Sequence, residues 1–229
     1  MARLARLYIP ECPVLLQLQG VNGQAVFNTR DAFSVFHARL LPSAQEERVL
    51  IHAYAMTPGQ VLLLMHAPNA DAAGRFVQNL NRHFSAWARV QAPNVSTLWE
   101  ARFKSTVVQP GVRSLKACLY VEQLPLRGRN TDDLATYPWS SFGAHAGVVN
   151  EPWLVDLPSY WGLGNTPFER QSRYRHFADH GLSQADLAAL GHCLDKGWLW
   201  GDDDFALTVA ELANRSPRPR PRGRPAKVL

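Results

Sequence analysis

The sequence predicts an α+β protein in which helices pack on one face of an antiparallel β-sheet. Segments with strand and helix periodicity follow one another in the order strand, helix, hairpin, helix, strand, helix, and this order is typical of the class. The chain has 229 residues, of which 46% are hydrophobic, so it can bury a full core.

The predicted strands lie in the first half of the chain. Residues 14–19 and 48–56 are rich in apolar and β-compatible residues, which predicts a strand in each segment. A Pro-Gly turn signal at 58–59 precedes the nearly all-apolar segment Gln60–Met65. We therefore expect an antiparallel hairpin in the middle of the sheet. Arg102–Gln109 predicts a further strand.

Helices are predicted where apolar side chains recur at intervals of three and four residues, as they do in Asp31–Leu41 and Ala70–Trp87. Val112–Gln123 predicts another helix, which Pro125 limits. We expect the Ala70–Trp87 and Val112–Gln123 helices to pack on one face of the sheet. Later helices are predicted over Phe168–His180, Ser183–Leu194 and Asp203–Ala213, and the acidic run 202–204 is expected to cap the last of these.

The chain divides into three predicted parts. Residues 1–145 form the sheet-containing domain, 146–214 form a helical region, and 215–229 form a basic tail. The tail is rich in Pro and Arg and cannot pack a core by itself.

Charge is distributed unevenly, although the formal net charge is only +5. Residues 75–129 hold nine basic and two acidic side chains, and residues 130–214 hold four basic and twelve acidic ones. Residues 215–229 hold six basic side chains and no acidic one. A basic block together with a basic arm is the usual electrostatic footprint of a nucleic-acid binder. A solvated face with an unstructured tail is the alternative.

The cysteines and the hydropathy indicate in which cellular compartment the protein is expected. Cys12, Cys118 and Cys193 are odd in number and far apart, which favours reduced thiols over disulfides or a zinc site. The longest apolar run, Val61–Met65, is too short to span a bilayer. We expect a cytoplasmic, nucleoid-associated protein with no membrane partner.

Several short blocks of sequence occur in a characteristic order. They include Trp-Glu-Ala-Arg-Phe-Lys-Ser at 99–105 and Tyr-Pro-Trp-Ser-Ser-Phe at 137–142. The others are Gly20–Phe27, Tyr54–Leu64, Leu80–Phe84 and Leu119–Arg127. Together the blocks resemble the REP-associated tyrosine transposases, the single-tyrosine branch of the HUH DNA-nicking enzymes. The resemblance covers nearly the whole chain and implies a ferredoxin- or RRM-like sheet.

The resemblance also implies a site, and the sequence departs from it. In the family, two histidines and an asparagine hold a metal ion, and a tyrosine attacks a DNA phosphate. The tyrosine position is Tyr120, but the metal-ligand positions are Gln60, Leu62 and Leu124. A leucine cannot coordinate a cation, and a neutral amide oxygen is a weak ligand. Tyr120 is therefore either a retained nucleophile or a residue kept for packing, and the lost ligands favour packing.

No metal cofactor is expected. Mg²⁺ or Mn²⁺ would be a cofactor only if the protein is an active transposase with an atypical metal site. His52, His66, Glu100 and Glu122 could supply ligands to a relocated site, but none has His-x-His spacing.

DNA is the expected partner, in single-stranded or hairpin form by resemblance. Arginines and lysines of the central block are candidate phosphate contacts. They are Arg75, Arg82, Arg102, Lys104, Arg113, Lys116 and Arg127. The tail contains Arg222, Gly223, Arg224 and Pro225, which resemble an AT-hook that inserts into an A·T-rich minor groove. A generic basic tail is the alternative. The oligomeric state stays open.

Three functions fit these observations. The first is a DNA-binding protein derived from a transposase, catalytically inactive and open to a regulatory role. The second is an active single-tyrosine transposase that cleaves single-stranded DNA hairpins with an atypical metal site. The third is an interaction module with no specific DNA target.

Overall fold

The computed structural model describes residues 5–91, 97–100 and 102–219. Four strands form one antiparallel sheet in the order β2-β3-β1-β4. The strands are β1 (Val14–Gln19), β2 (Leu50–Thr57), β3 (Gln60–His66) and β4 (Lys104–Val107). The predicted α+β class, the antiparallel sheet and the β2–β3 hairpin are confirmed. The prediction that this hairpin lies in the middle of the sheet is wrong: β2 is an edge strand, because β1 pairs with the other side of β3 and lies between β3 and β4.

Two long helices cover one face of the sheet, α1 (Arg30–Glu47) and α2 (Ala72–Gln91). The Thr29 hydroxyl caps α1 by accepting from the Ala32 amide at 3.2 Å. Aromatic side chains of both helices pack against alternate residues of β1–β3 in a first hydrophobic cluster. With α1 and α2, the strands follow the β-α-β-β-α-β order of ferredoxin-like folds.

Helix α1 is longer than the sequence predicts, because it continues through Pro42 to Glu47 instead of ending at Leu41. A proline inside a helix removes one backbone hydrogen bond. Ser43 and Ala44, in the turn that follows Pro42, are buried.

Helix α3 (Val112–Glu122) packs on the opposite face of the sheet. The prediction that it shares a face with the Ala70–Trp87 helix is wrong. The central strands are apolar on both faces: Leu63 contributes to the first cluster, whereas Leu62 and Leu64 contribute to a second cluster with α3. A strand that is buried on both faces requires a layer on each.

The remaining chain adds short and medium helices beyond α3. They are α4 (Leu124–Arg127), α5 (Phe142–His145), α6 (Pro158–Trp161), α7 (Pro167–His180), α8 (Gln184–Lys196) and α9 (Asp203–Thr208). The Asp202 carboxylate caps α9 by accepting from the Phe205 amide at 2.8 Å, as expected, but α9 ends at Thr208 rather than Ala213. Pro125 lies in the first turn of α4, where a proline is tolerated.

The helical region packs on the sheet-containing part of the chain. The Trp200 amide donates to the Val107 carbonyl oxygen at 2.8 Å, and the Gln109 amide donates to the Trp200 carbonyl oxygen at 3.0 Å. Residues from both sides of position 145 contribute to the second cluster. The three-part division stays a prediction. No helix within the described ranges is long and apolar enough to cross a membrane.

Candidate nucleic-acid interface

A small depression lies where α3 and α4 meet the sheet face that carries the second cluster. Its volume is about 180 Å³. It is lined by Gln17, Thr57, Gln60, Leu62, Tyr120, Leu124, Arg127 and Gly128. The structure thus brings Tyr120 together with all three positions that the resemblance assigns to metal ligands.

Local geometry explains this convergence. Gln60 and Leu62 lie two residues apart on β3, so their side chains are on the same face of the sheet. Leu124 follows Tyr120 by four residues, about one helical turn. The Gln123 amide donates to the Leu119 carbonyl oxygen at 2.9 Å, which keeps the turn between α3 and α4 nearly continuous.

Glutamine side chains occupy one wall of the depression. The Gln60 amide nitrogen donates to the Gln19 side-chain oxygen at 2.7 Å, and the Gln17 amide nitrogen donates to the same oxygen at 3.1 Å. Sequence reasoning missed Gln17 and Gln19. Their alternation with Leu16 and Leu18 was the available signal, because it marks one face of the strand as polar.

The depression does not fit a divalent metal ion. Leu62 and Leu124 are only 2% and 6% exposed and offer no lone pair. The side-chain oxygens of Gln17, Thr57 and Gln60 are all neutral, whereas Mg²⁺ and Mn²⁺ sites usually include at least one carboxylate. No reaction step through a metal can be derived from these side chains.

Tyr120 is packed rather than isolated. Its ring contacts the second cluster, and the Arg127 guanidinium lies 4.1 Å from the ring centre. Arg127 also donates to the Tyr120 carbonyl oxygen at 2.6 Å. A Cβ atom built on Gly191 of α8 would lie 3.7 Å from the Tyr120 hydroxyl oxygen. The side chain is therefore half-buried between α8 and Arg127 and still lines the depression.

A second polar group lies inside the core beside α3. Cys118, Glu122 and His145 are buried, and one potential ligand atom from each lies within 4.8 Å of the others. Within the described part of the chain, this is the one group of three such side chains that could hold a metal ion. Glu122 accepts hydrogen bonds from Ser141 at 2.5 Å and Tyr174 at 2.6 Å, and it lies 2.6 Å from His145 Nδ1.

This buried group cannot serve Tyr120. Glu122 and Tyr120 are two residues apart on α3, which places them on nearly opposite sides of the helix. Burial alone would lower the pKa of His145, but the nearby Cys118 and Glu122 raise it well above its usual value. The arrangement is that of a buried ion pair between His145 and Glu122, whose carboxylate also receives hydrogen bonds from neighbouring hydroxyl groups.

The basic residues of the central block are not on one surface. Arg75 and Arg82 lie on α2, on the sheet face opposite to the depression, and Arg75 pairs with Glu47 at 2.6 Å. Lys104, Arg113, Lys116 and Arg127 belong to the elements on the same side as α3.

Acidic residues of the helical region neutralise part of this charge. Lys104 pairs with Asp195 at 2.7 Å, and Lys116 pairs with Asp186 at 2.8 Å. Arg113 donates to the Gln109 side-chain oxygen at 3.0 Å. Arg102 lines a separate cleft next to Lys104. Arg222, Gly223, Arg224 and Pro225 lie outside the described residues.

The fold is that of a ferredoxin-like sheet with a tyrosine-bearing helix across its second face. One similar solved structure is that of the REP-associated tyrosine transposase bound to a REP hairpin. The TM-score is 0.54 and the identity is 14%, and the match covers 69% of this chain and 93% of the other. The expected fold relationship to the REP-associated tyrosine transposases is therefore confirmed. No protein-family model and no curated protein matches the sequence.

Proposed function

We propose that the protein binds DNA without cleaving it and that it derives from a REP-associated tyrosine transposase. One observation carries the proposal: aliphatic side chains stand at two of the three positions around Tyr120 where the related enzymes need metal ligands. An unassisted phenol is a weak nucleophile, and phosphoryl transfer requires stabilisation of the charge that develops on the phosphate. Arg127 is the one cationic side chain that lines the depression, and it is stacked on the Tyr120 ring. The lining contains no carboxylate or histidine that could activate the phenol or hold a metal ion, so the proposal includes no metal cofactor.

DNA as the partner is supported by two observations. The similar solved structure carries a REP hairpin, and the chain keeps basic residues on the side of α3. Contacts by Arg102, Lys104, Arg113, Lys116 and Arg127 would hold the phosphate backbone and position the nucleic acid. Arg75 and Arg82 lie on α2, on the opposite face of the sheet, so they could contact only a nucleic acid that also extends to that face.

The tail supplies a second contact in this proposal. Arg222 and Arg224 flank Gly223, and a glycine there allows the backbone to approach the floor of a narrow minor groove. Narrow A·T-rich grooves attract inserted arginines through their enhanced negative potential. The tail would bind duplex DNA while the body binds the structured strand.

The test compares cleavage and binding on the same substrate. Purified protein is incubated with a labelled single-stranded REP-like hairpin and Mg²⁺ or Mn²⁺, and covalent adducts are resolved on a denaturing gel. We expect binding by fluorescence anisotropy and no adduct. A 5′-phosphotyrosyl adduct that disappears in Tyr120→Phe would contradict the proposal and establish the active transposase.

That active transposase with an atypical metal site is the second candidate. The observation in its favour is the retention of Tyr120 in the depression. A protein with no specific DNA target is the third, and sequencing of DNA recovered with the protein from cells separates it from the first. A recurring site would support a DNA-binding function, and random recovery would support the interaction module.

A further inference from the structure

A second cleft, of about 290 Å³, lies at the β4 edge of the sheet and is built by residues far apart in the chain. Its cationic lining residues are Arg6, Arg102, Lys104, Lys196 and Arg215, and its one acidic lining residue is Asp195. Asp195 is paired with Lys104 at 2.7 Å. The cleft therefore carries a clear excess of positive charge.

Hydrogen bonds between the Asn214 side chain and the backbone near the N-terminus hold two of these arginines in place. The Tyr8 amide donates to the Asn214 side-chain oxygen at 2.9 Å, and the Asn214 side-chain nitrogen donates to the Arg6 carbonyl oxygen at 2.8 Å. Arg6 and Arg215, which flank these contacts, are thereby brought to the same cleft.

Aromatic rings fix the two guanidinium groups. The Arg6 guanidinium lies 3.5 Å from the centre of the Phe103 ring, and that of Arg215 lies 5.0 Å from the centre of the Trp198 ring. Cation–π contacts of this kind restrict the positions of the two guanidinium groups. Arg215 also donates to the Gly197 and Ser216 carbonyl oxygens.

Acidic side chains do not balance the positive charge of the two stacked arginines. Within the described ranges, no carboxylate pairs with Arg6 or Arg215, and the Nε atoms of both are buried without a hydrogen-bond partner. Burial and the nearby Arg102 lower the pKa of Arg6 to about 10 and also lower the pKa of Arg215. A bound anion in the cleft would offset the repulsion among these cations.

The cleft continues the depression around Tyr120. Gln17 of β1 and Lys104 of β4 are register partners, so their side chains lie side by side on one face of the sheet. Gln17 lines the depression and Lys104 lines the cleft. The depression and the cleft are therefore neighbouring sites at this edge of the sheet.

We propose that Arg6, Arg102 and Arg215 form a phosphate-binding site that holds the backbone of a single-stranded nucleic acid next to the Tyr120 depression. The assignment of the phosphate to a nucleic acid rests on the proposed function. The planar fork of arginine suits the two oxygens of a phosphodiester, and stacking on Phe103 and Trp198 preorganises the donors.

The test uses the full chain and the double variant Arg6→Gln/Arg215→Gln. The matched control is Arg39→Gln/Arg173→Gln, which removes the same charge from exposed positions on α1 and α7. Affinity for a short labelled single-stranded oligonucleotide is measured by anisotropy across a salt series. Thermal unfolding is measured with inorganic phosphate and with chloride at equal ionic strength.

We expect the double variant to lose about tenfold in affinity and the control to lose much less. The log–log salt slope should fall by roughly 1.4, since each single-strand phosphate contact contributes about 0.7. Phosphate should raise the unfolding temperature of the wild type but not of the double variant. If the double variant is poorly folded, Arg6→Lys/Arg215→Lys replaces it, and we expect it to keep the slope and lose affinity.

Two results would overturn the proposal in different ways. Wild-type binding with equal affinity in the double variant and the control would remove the cleft from nucleic-acid recognition. Stabilisation by phosphate without binding of the oligonucleotide would overturn the nucleic-acid assignment. Absence of DNA binding to every substrate, single-stranded, hairpin and duplex, would instead contradict the proposed function itself.

Discussion

Arg127 holds Tyr120 from two directions: its guanidinium lies over the phenol ring at 4.1 Å, and it donates to the Tyr120 carbonyl oxygen at 2.6 Å. The interaction joins α3 to α4 at the rim of the depression. An arginine used in this way stabilises the position of the tyrosine and has less freedom to contact DNA.

We predict that Arg127→Ala lowers the free energy of unfolding by about 1 kcal/mol, because a cation–π contact at an exposed site contributes about 0.5–1 kcal/mol and the hydrogen bond adds to it. Urea denaturation measures the change. Arg127→Lys keeps the charge but loses the planar stacking and should recover only part of it. An unchanged free energy in Arg127→Ala would show that Arg127 does not hold the turn.

A second prediction concerns the three positions that the resemblance assigns to metal ligands. The triple variant Gln60→His/Leu62→His/Leu124→Asn places metal-binding groups around Tyr120, and we expect it to bind Mn²⁺ where the wild type does not. Its stability should fall by about 2 kcal/mol, since two buried leucines become polar. Calorimetric titration with Mn²⁺ measures binding, and the wild type is the control.

Covalent chemistry provides the sharper readout for the same variant. A hairpin adduct in the triple variant, absent when Tyr120→Phe is added, would show that ligand loss alone silenced the site. If Mn²⁺ binds and no adduct forms, the contacts that hold Tyr120 against Arg127 would be the second obstacle. Failure to bind Mn²⁺ would contradict the inferred ligand geometry.

The buried ion pair predicts how stability depends on pH. The folded-state pKa of His145 is raised, so its contribution is present below about pH 6.5, the ordinary value, and is lost as the pH rises through the folded-state pKa. His145→Gln should abolish this alkaline loss and lower stability at about pH 6 by roughly 3 kcal/mol.

Unfolding in urea between about pH 6 and about pH 9 measures this effect. His192→Gln is the control, because His192 is exposed on α8. An identical pH dependence in His145→Gln and the wild type would contradict a charged His145.

The final prediction distinguishes the contribution of the tail to DNA binding from that of the rest of the chain. Deletion of residues 220–229 removes Arg220, Arg222, Arg224 and Lys227 but keeps Arg215 and Arg218, which contact the body. On A·T-rich duplex DNA, the log–log salt slope should fall by about 0.9 for each phosphate that the tail no longer neutralises. Arg222→Ala/Arg224→Ala should reproduce most of the loss of affinity on A·T-rich duplexes and less on G·C-rich ones. Equal losses on both would indicate a generic basic arm.

The sequence predicts the strands and most helices because their periodicities are local properties. The run Gln60–Met65 belongs to β3, one strand of the expected hairpin. Periodicity does not tell which face of the sheet a helix covers, and for this reason the predicted face of α3 is wrong. The apolar residues of both faces of β3 were the signal for a layer on each side.

For the site, too, the sequence predicts some features and not others. The resemblance identifies Gln60, Leu62, Leu124 and Tyr120, and the fold brings them together. Neither the approach of Arg6 to Arg215 nor the neutralisation of Lys104 by Asp195 could be predicted, because both depend on interactions between distant parts of the chain. Charge counted along a sequence overstates the charge that a surface presents.

The first residues of the tail have a consequence for how the protein would search for DNA. The Leu199 amide donates to the Pro217 carbonyl oxygen at 3.0 Å, and Arg218 contacts Gly201 and Asp203 at 2.8 Å. The chain is thus tethered at a fixed point beside the cleft. DNA captured by the residues that follow would face the cleft at an effective concentration in the millimolar range, so two weak interactions act as one strong interaction. Relocating the same residues to another surface would keep every charge and lose this avidity.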